Sequence, residues 1–180
     1  INKTKYPQLL GPCYELFRKW NYEMDGGIDP RVISTCEKVS KLIREAYEDR
    51  DEAWVGKMKY RAIVWSCPAH YYANFSNWAA NCWGIDVLVE MESLNFTKPL
   101  ETEDKEEALR DLARLYERMV MRRHTNGGYH NVVTELWRQC EAWDAKLIIM
   151  YQNVACKNMA TVQGLLDDQG RERGYDLIWI

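Results

Sequence analysis

Apolar residues recur every three or four positions along most of the chain, which is typical of amphipathic helices. Between residues 101 and 159, two such stripes flank a short polar stretch, residues 124–128, which contains two glycines. The first stripe begins in an acidic cluster and ends in a basic one, as a helix dipole favours. The stripes consist of Leu109, Leu112, Tyr116, Met119 and Val120, and then of Val133, Leu136, Cys140, Trp143, Leu147, Tyr151 and Val154. We therefore expect two long helices in an antiparallel hairpin.

A second hairpin is predicted near the start of the chain. Residues 6–24 carry apolar side chains at helical spacing, and the glycines after Asp25 would end that helix. Asp29 and Pro30 then suit the cap and the first position of another helix, which we expect to continue to about Asp51. Two helix hairpins thus account for most of the chain.

The middle of the chain allows two interpretations. Residues 57–65 and 85–92 alternate between two sets of side chains, as short strands do. Ile85, Leu88 and Val89 also fit one face of a helix, and we favour helix because the better-defined segments are helical. The predicted fold is mainly α, a helical bundle of two antiparallel helix hairpins that allows a small β addition in the middle (α+β). One helical domain over residues 1–180 is expected.

Charge and hydropathy exclude some classes of partner. The net charge is only −3, and no basic stripe stands out, so we expect no nucleic-acid partner. No apolar run approaches the roughly 18 residues that a membrane-spanning helix needs. The tail, residues 175–180, is nevertheless too apolar for a free end, and we expect it to pack on the domain or on a partner.

Cysteines and glycosylation motifs favour an extracellular or luminal protein. The chain has six cysteines, an even number, and it begins with Ile1, as it would after removal of a leader. Three acceptor motifs for N-glycosylation begin at Asn2, Asn74 and Asn95. The disulfide candidates are Cys13, Cys36, Cys67, Cys82, Cys140 and Cys156, with Cys13–Cys36 as the favoured bridge. Free thiols in a reducing compartment are the alternative.

No set of residues carries a strong signal for catalysis, and neither a metal site nor a cofactor is predicted. His124 and His130 flank the glycine turn and could act with Glu135 in a hydrolase, although a polar surface loop explains them better. Asp86, Glu90 and Glu92 invite comparison with metal-dependent nucleases, but a solvent-facing edge explains these acids better. The sequence therefore favours a non-enzymatic protein.

Aromatic residues concentrate in the middle of the chain. Tyr71, Tyr72, Trp78 and Trp83 belong to this cluster, and Tyr and Trp dominate the energetics of protein interfaces. A buried aromatic subcore held by Cys67–Cys82 is the alternative. We expect a secreted, disulfide-linked glycoprotein that binds a protein or an apolar small molecule through this cluster. The alternative functions are an accessory structural subunit of a large organellar complex and a hydrolase that uses His124 and His130.

Overall fold

Helices and strands alternate along the chain in a computed structural model, which describes residues 31–49, 58–65, 75–91, 103–118, 120–152 and 156–180. The helices are α1 (Arg31–Glu48), α2 (Phe75–Trp78), α3 (Lys105–Arg118), α4 (Val120–Trp143), α5 (Lys157–Thr161) and α6 (Gln163–Arg173), with a π-helical turn at Ala79–Trp83. The strands are β1 (Tyr60–Trp65), β2 (Ile85–Glu90), β3 (Leu147–Met150) and β4 (Asp176–Trp179). This is an α/β protein. The helix predicted over residues 6–24 lies outside the described residues.

The four strands form one parallel sheet in the order β2-β1-β3-β4. At one end, the backbone N–H groups of Lys59 and Tyr60 both donate to the carbonyl oxygen of Gly84, so β1 and β2 start side by side. At the other end, the register places Trp65 beside Met150 and Met150 beside Trp179. Parallel neighbours in register point to the same side of a sheet, so these three side chains form one row.

The prediction of a mainly α bundle of two helix hairpins is wrong. Helix α4 ends at Trp143, and Asp144 follows with a φ of 50°. The segment that we expected to continue the helix contains β3, whose four residues are all buried. A parallel strand with both faces covered reads as a continuous apolar run, without alternation. Leu147 therefore fitted the spacing of the preceding helical stripe by coincidence.

Residues 57–65 and 85–92 were the ambiguous segments, and our preference for helix there is also wrong. Strands β1 and β2 occupy them, as their two-residue alternation indicated. The tail contains β4, which pairs with β3. Helix α1, by contrast, lies within the range that its apolar spacing and the Asp29-Pro30 start predicted.

Helices α4 and α6 cover the side of the sheet that carries Leu177. A Cβ atom placed on Gly170 of α6 would lie 2.4 Å from Leu177 Cδ1 and 3.7 Å from the Trp137 ring of α4. Trp137 Nε1 also donates to Gln169 Oε1 over 2.8 Å. Gly170 thus allows a close approach between helix and sheet.

Helix α4 is interrupted at Gly128, which has φ 64° and ψ −168°. This backbone conformation is essentially restricted to glycine. The break falls within the 124–128 stretch, where the adjacent glycines predicted that a helix would end. It separates the part of α4 that carries His124 from the part that carries Glu135.

The described residues belong to two compact units. One contains residues 31–49, 58–61 and 75–88, and the other contains 62–65, 89–91, 103–118, 120–152 and 156–180. The expectation of one domain over the whole chain stays a prediction. Within the described residues, no helix is long and apolar enough to cross a membrane.

The cysteines that the structure describes do not form disulfides. Cys82, Cys140 and Cys156 are free thiols, so the Cys67–Cys82 bridge of the alternative, a buried aromatic subcore, is wrong. Cys140 is buried in α4, and burial raises the pKa of its thiol to about 12, so it packs as a small apolar group. Cys13, Cys67 and the side chain of Cys36 lie outside the described residues, as do the three predicted glycosylation sites.

Candidate functional site at the carboxyl edge of the sheet

The order of the strands creates a topological switch point between β1 and β3. The chain runs from β1 to β2 on one side, and then reaches β3 on the other side of β1. In open α/β sheets, ligands bind in the crevice outside the carboxyl ends of the strands at such a point. The residues at this place are Trp65, the last of β1, and Tyr151, which follows β3. This edge of the sheet is therefore the candidate site.

Backbone hydrogen bonds hold the carboxyl edge together beyond the strands themselves. The N–H of Tyr151 donates to the carbonyl oxygen of Trp65 over 3.2 Å. The N–H of Gln152 donates to the carbonyl oxygen of Ile180 over 2.9 Å. The chain ends that leave β1, β3 and β4 are consequently fixed relative to one another, which suits a site that must hold a ligand in one geometry.

Trp65 is fully buried, and its Nε1 donor has no hydrogen-bond partner in the described part of the chain. Other indole groups nearby have partners: Trp137 donates to Gln169, and Trp179 donates to Asp167 Oδ1 over 2.7 Å. Buried Trp N–H groups usually find an acceptor. Trp65 thus carries an unused donor at the switch point.

His124 packs against Trp65, with ring centroids 5.7 Å apart and the planes tilted by 45°. His130 lies beyond the break at Gly128, where it is exposed and packs against the ring of Tyr129 at 3.9 Å. The two histidines thus have different surroundings, because the helix that carries them is broken between them.

Glu135 is buried and accepts hydrogen bonds from Arg138 Nη2 and Gln139 Nε2, each over 2.6 Å. The hydrolase alternative required this carboxylate to act with the two histidines, but it is held by neighbours on its own helix. Within the described ranges, no group of three or more His, Cys, Asp or Glu side chains could hold a metal ion. These residues by themselves do not provide a metal centre.

Cys156 lies a few residues beyond the end of β3 and directly precedes α5. Its side chain is half-buried and its thiol is free. The thiol thus follows the carboxyl end of a central strand in the sequence. We had considered Cys156 only for disulfide pairing, since we placed it at the end of a long helix.

Two acids on β2 are buried rather than solvent-facing. Asp86 is 6% exposed and Glu90 is 8% exposed, which contradicts the expectation of an edge that faces water. Burial raises the pKa of Asp86 to about 6, and the charge of Arg61 opposes that shift. Asp86 is therefore sensitive to pH in the mildly acidic range.

Part of the predicted aromatic face is described. Trp78 and Trp83 are 42% and 57% exposed, and their rings meet edge to face with centroids 6.1 Å apart. They belong to α2 and the π-helical turn, which ends at Gly84 in a left-handed conformation. Tyr71 and Tyr72 lie outside the described residues. The two tryptophans form a rigid, exposed aromatic pair.

The residues of the carboxyl edge were not predicted as a site. The available signal was the apolar run from Leu147 to Tyr151, which is bounded by polar Lys146 and Gln152 and has the length of a buried strand. Had it been assigned to a strand, the residues after it would have become candidates. The assignment to helix removed them from consideration.

Comparison with known proteins identifies a related family. The model of the family described as 2-hydroxyglutaryl-CoA dehydratase, D-component, matches residues 29–179, more than four-fifths of the chain. No curated protein matches. The family match overturns the predicted extracellular, disulfide-linked binding domain and both of its alternatives.

The predicted secreted location and glycoprotein character are wrong for the same reason, since members of this family are cytoplasmic enzyme components. Our preference for a non-enzymatic protein also has to be given up, because the family belongs to radical dehydratase enzyme systems. An even number of cysteines and three short motifs were too weak a basis for a cellular location. The match and the α/β architecture agree, and the chain belongs to the 2-hydroxyglutaryl-CoA dehydratase D-component family.

Proposed function

We propose that this chain is a component of an enzyme that removes water from a 2-hydroxyacyl-CoA thioester, and that the thioester binds at the carboxyl edge of the sheet. The family match over residues 29–179 is the observation that carries this proposal. The switch point between β1 and β3 supports the location, because it is where α/β sheets of this kind bind ligands.

The reaction is chemically demanding. The hydroxyl group leaves from the carbon next to the thioester carbonyl, whereas the hydrogen leaves from the following carbon. A carbonyl group acidifies hydrogens on its neighbouring carbon and not those one carbon further away. Simple acid–base elimination is therefore unfavourable, which agrees with the place of this family among radical dehydratase systems. The chain must bind the thioester and exclude water while the reaction proceeds.

The experiment is an anaerobic dehydration assay with the chain and its partner proteins, a 2-hydroxyacyl-CoA and a low-potential reductant. Products are separated and weighed by mass spectrometry, and dehydration lowers the mass of the thioester by that of one water. We expect this product only when the chain is present. A matched 3-hydroxyacyl-CoA is the substrate control, because the hydrogen that it loses lies on the carbon next to the thioester carbonyl and is therefore acidic. The proposal fails if a complete assembly leaves the 2-hydroxyacyl-CoA unchanged.

We also propose that Trp78 and Trp83 contact a protein partner. Members of this family function with partner proteins in a dehydratase complex. An exposed Trp pair offers a large contact area with little rotamer entropy to lose. We expect Trp83→Ala to weaken association by about thirtyfold, the lower limit for an interface hot spot, and to leave the helix content unchanged. Tyr129→Ala, which removes an exposed aromatic ring elsewhere, is the control.

A further inference from the structure

The indole N–H of Trp65 is a hydrogen-bond donor that is ready for a ligand. It is buried at the switch point, and no described protein atom accepts it. A buried donor without an acceptor costs the free energy of its lost hydration. A bound ligand that supplies an acceptor oxygen recovers that cost, so the donor adds to affinity and orientation.

We propose that Trp65 Nε1–H donates a hydrogen bond to the carbonyl oxygen of the bound acyl-CoA thioester. This proposal rests on the proposed function, which supplies the thioester. Trp65 would be a positioning and charge-stabilising residue at the reacting carbonyl. It would act through a neutral N–H group.

The imidazole of His124 packs against the ring of Trp65, but its neighbours within the sheet are apolar, and they favour a carbonyl oxygen over a carboxylate. On the same side of the sheet, its in-register neighbour is Met150, which is fully buried, and Ile63 lies two residues earlier on β1. An ionised carboxylate in such an apolar place costs much more than a neutral oxygen. A thioester carbonyl enters as a neutral group. It gains negative charge only when electrons are placed into it, and a fixed donor then stabilises it most.

Access to the donor requires a local change, since the indole nitrogen is shielded from solvent. The described ring that packs against Trp65 belongs to half-buried His124, four residues before the break at Gly128. We infer that the His124 side chain moves when a ligand reaches the indole. Ligand binding should therefore alter the contact between these two rings.

The test is infrared difference spectroscopy of a non-reactive acyl-CoA analogue, ¹³C-labelled at the thioester carbonyl and bound to the assembled enzyme. A donated hydrogen bond lowers the carbonyl stretching frequency. We expect a lower frequency with the wild-type chain than with Trp65→Phe, and a decrease in kcat/KM of about five- to fifty-fold, as expected for one hydrogen bond that strengthens during reaction. The matched control is Trp137→Phe, which removes an indole donor that has a protein partner. Its carbonyl frequency should equal that of the wild type.

If Trp65→Phe does not fold, nuclear magnetic resonance of the wild-type protein gives the answer. The indole proton of Trp65 is identified by its proximity to the ring protons of His124, and it should move downfield when the analogue binds. An unchanged indole shift overturns the proposal, as does an equal carbonyl frequency in wild type and Trp65→Phe. If that result is accompanied by normal dehydration, only the role of Trp65 fails. If the wild-type assembly shows no dehydration, the proposed function fails with it.

Discussion

The backbone N–H of Tyr151 donates to the carbonyl oxygen of Trp65 over 3.2 Å, one residue beyond the end of β3. This bond joins the carboxyl ends of β1 and β3. The chain continues from β1 to β2 and from β3 to β4, which lie in opposite directions along the order of strands. The backbone at the switch point is thereby fixed. The chain combines this rigid frame with a buried donor, Trp65 Nε1, that has no described acceptor.

We predict that Gly170→Ala destabilises the chain, whereas Gly164→Ala does not. A Cβ atom at residue 170 would lie 2.4 Å from Leu177 Cδ1, so the buried contact between α6 and β4 must open. Overpacking of this kind costs about 1–3 kcal/mol. At Gly164, no atom lies within 4 Å of the added Cβ, and alanine should stabilise the helix by up to about 1 kcal/mol. Urea denaturation midpoints measure both. Equal denaturation midpoints for the two variants would show that the Leu177 side chain moves aside without cost.

The backbone conformation of Gly128 predicts that both alanine and asparagine at this position lower the stability of the chain. Its φ of 64° and ψ of −168° are not accessible to other residues without strain, and we expect Gly128→Ala to cost about 1–3 kcal/mol. Gly174 has φ 72° and ψ 37°, a left-handed conformation that asparagine tolerates. Gly174→Asn should therefore be milder than Gly174→Ala, while Gly128→Asn and Gly128→Ala should be equally costly. Thermal unfolding of the four variants decides this, and rescue by asparagine at residue 128 would contradict the described backbone.

Asp86 predicts a pH dependence of stability. Its pKa is raised from 3.8 to about 6 by burial, so the folded chain holds this proton more tightly than the unfolded chain does. Between pH 4 and pH 6 the folded state binds more protons, so this group makes stability fall as the pH rises through that window. The full effect is on the order of 2–3 kcal/mol. In denaturation experiments at several pH values, Asp86→Asn should remove this part of the decline. Parallel profiles for the two proteins would show that Asp86 ionises normally.

The cysteines should differ sharply in reactivity. Cys82 is exposed, so we expect rapid alkylation of the native protein there. Cys140 is buried with its thiol pKa raised to about 12, and it should react only after denaturation. Peptide mapping by mass spectrometry without reduction measures both. Discovery of a Cys67–Cys82 disulfide, or fast modification of Cys140, would contradict the structure.

Local signals in the sequence predicted some elements correctly. The Asp29-Pro30 start located α1, and the glycine pair located the break at Gly128. Both predictions depend on the backbone preferences of single proline or glycine residues, which can be identified from the sequence alone. Strand β3 was missed because all four of its residues are buried, so it shows neither helical nor strand periodicity.

The candidate site was not predictable by the same means. Trp65, His124 and Met150 come from three segments that are far apart in the chain, and only the pairing of β1 with β3 and the packing of α4 bring them together. The unused donor on Trp65 is likewise a property of its surroundings and not of its sequence neighbours. By contrast, the exposed pair Trp78 and Trp83 was noticed at once because its members are close in sequence, and its binding role stays a prediction.

The most direct test is to locate a bound 2-hydroxyacyl-CoA on the assembled enzyme. A photoreactive analogue with the reactive group in its acyl chain is bound and irradiated, and labelled peptides are identified by mass spectrometry. We predict that the label falls in the segments that immediately follow Trp65 and Met150, and that excess 2-hydroxyacyl-CoA suppresses it. Labelling at the opposite edge of the sheet, around Lys59 or Lys146, or labelling that the substrate does not suppress, would contradict a thioester site at the carboxyl ends of β1 and β3.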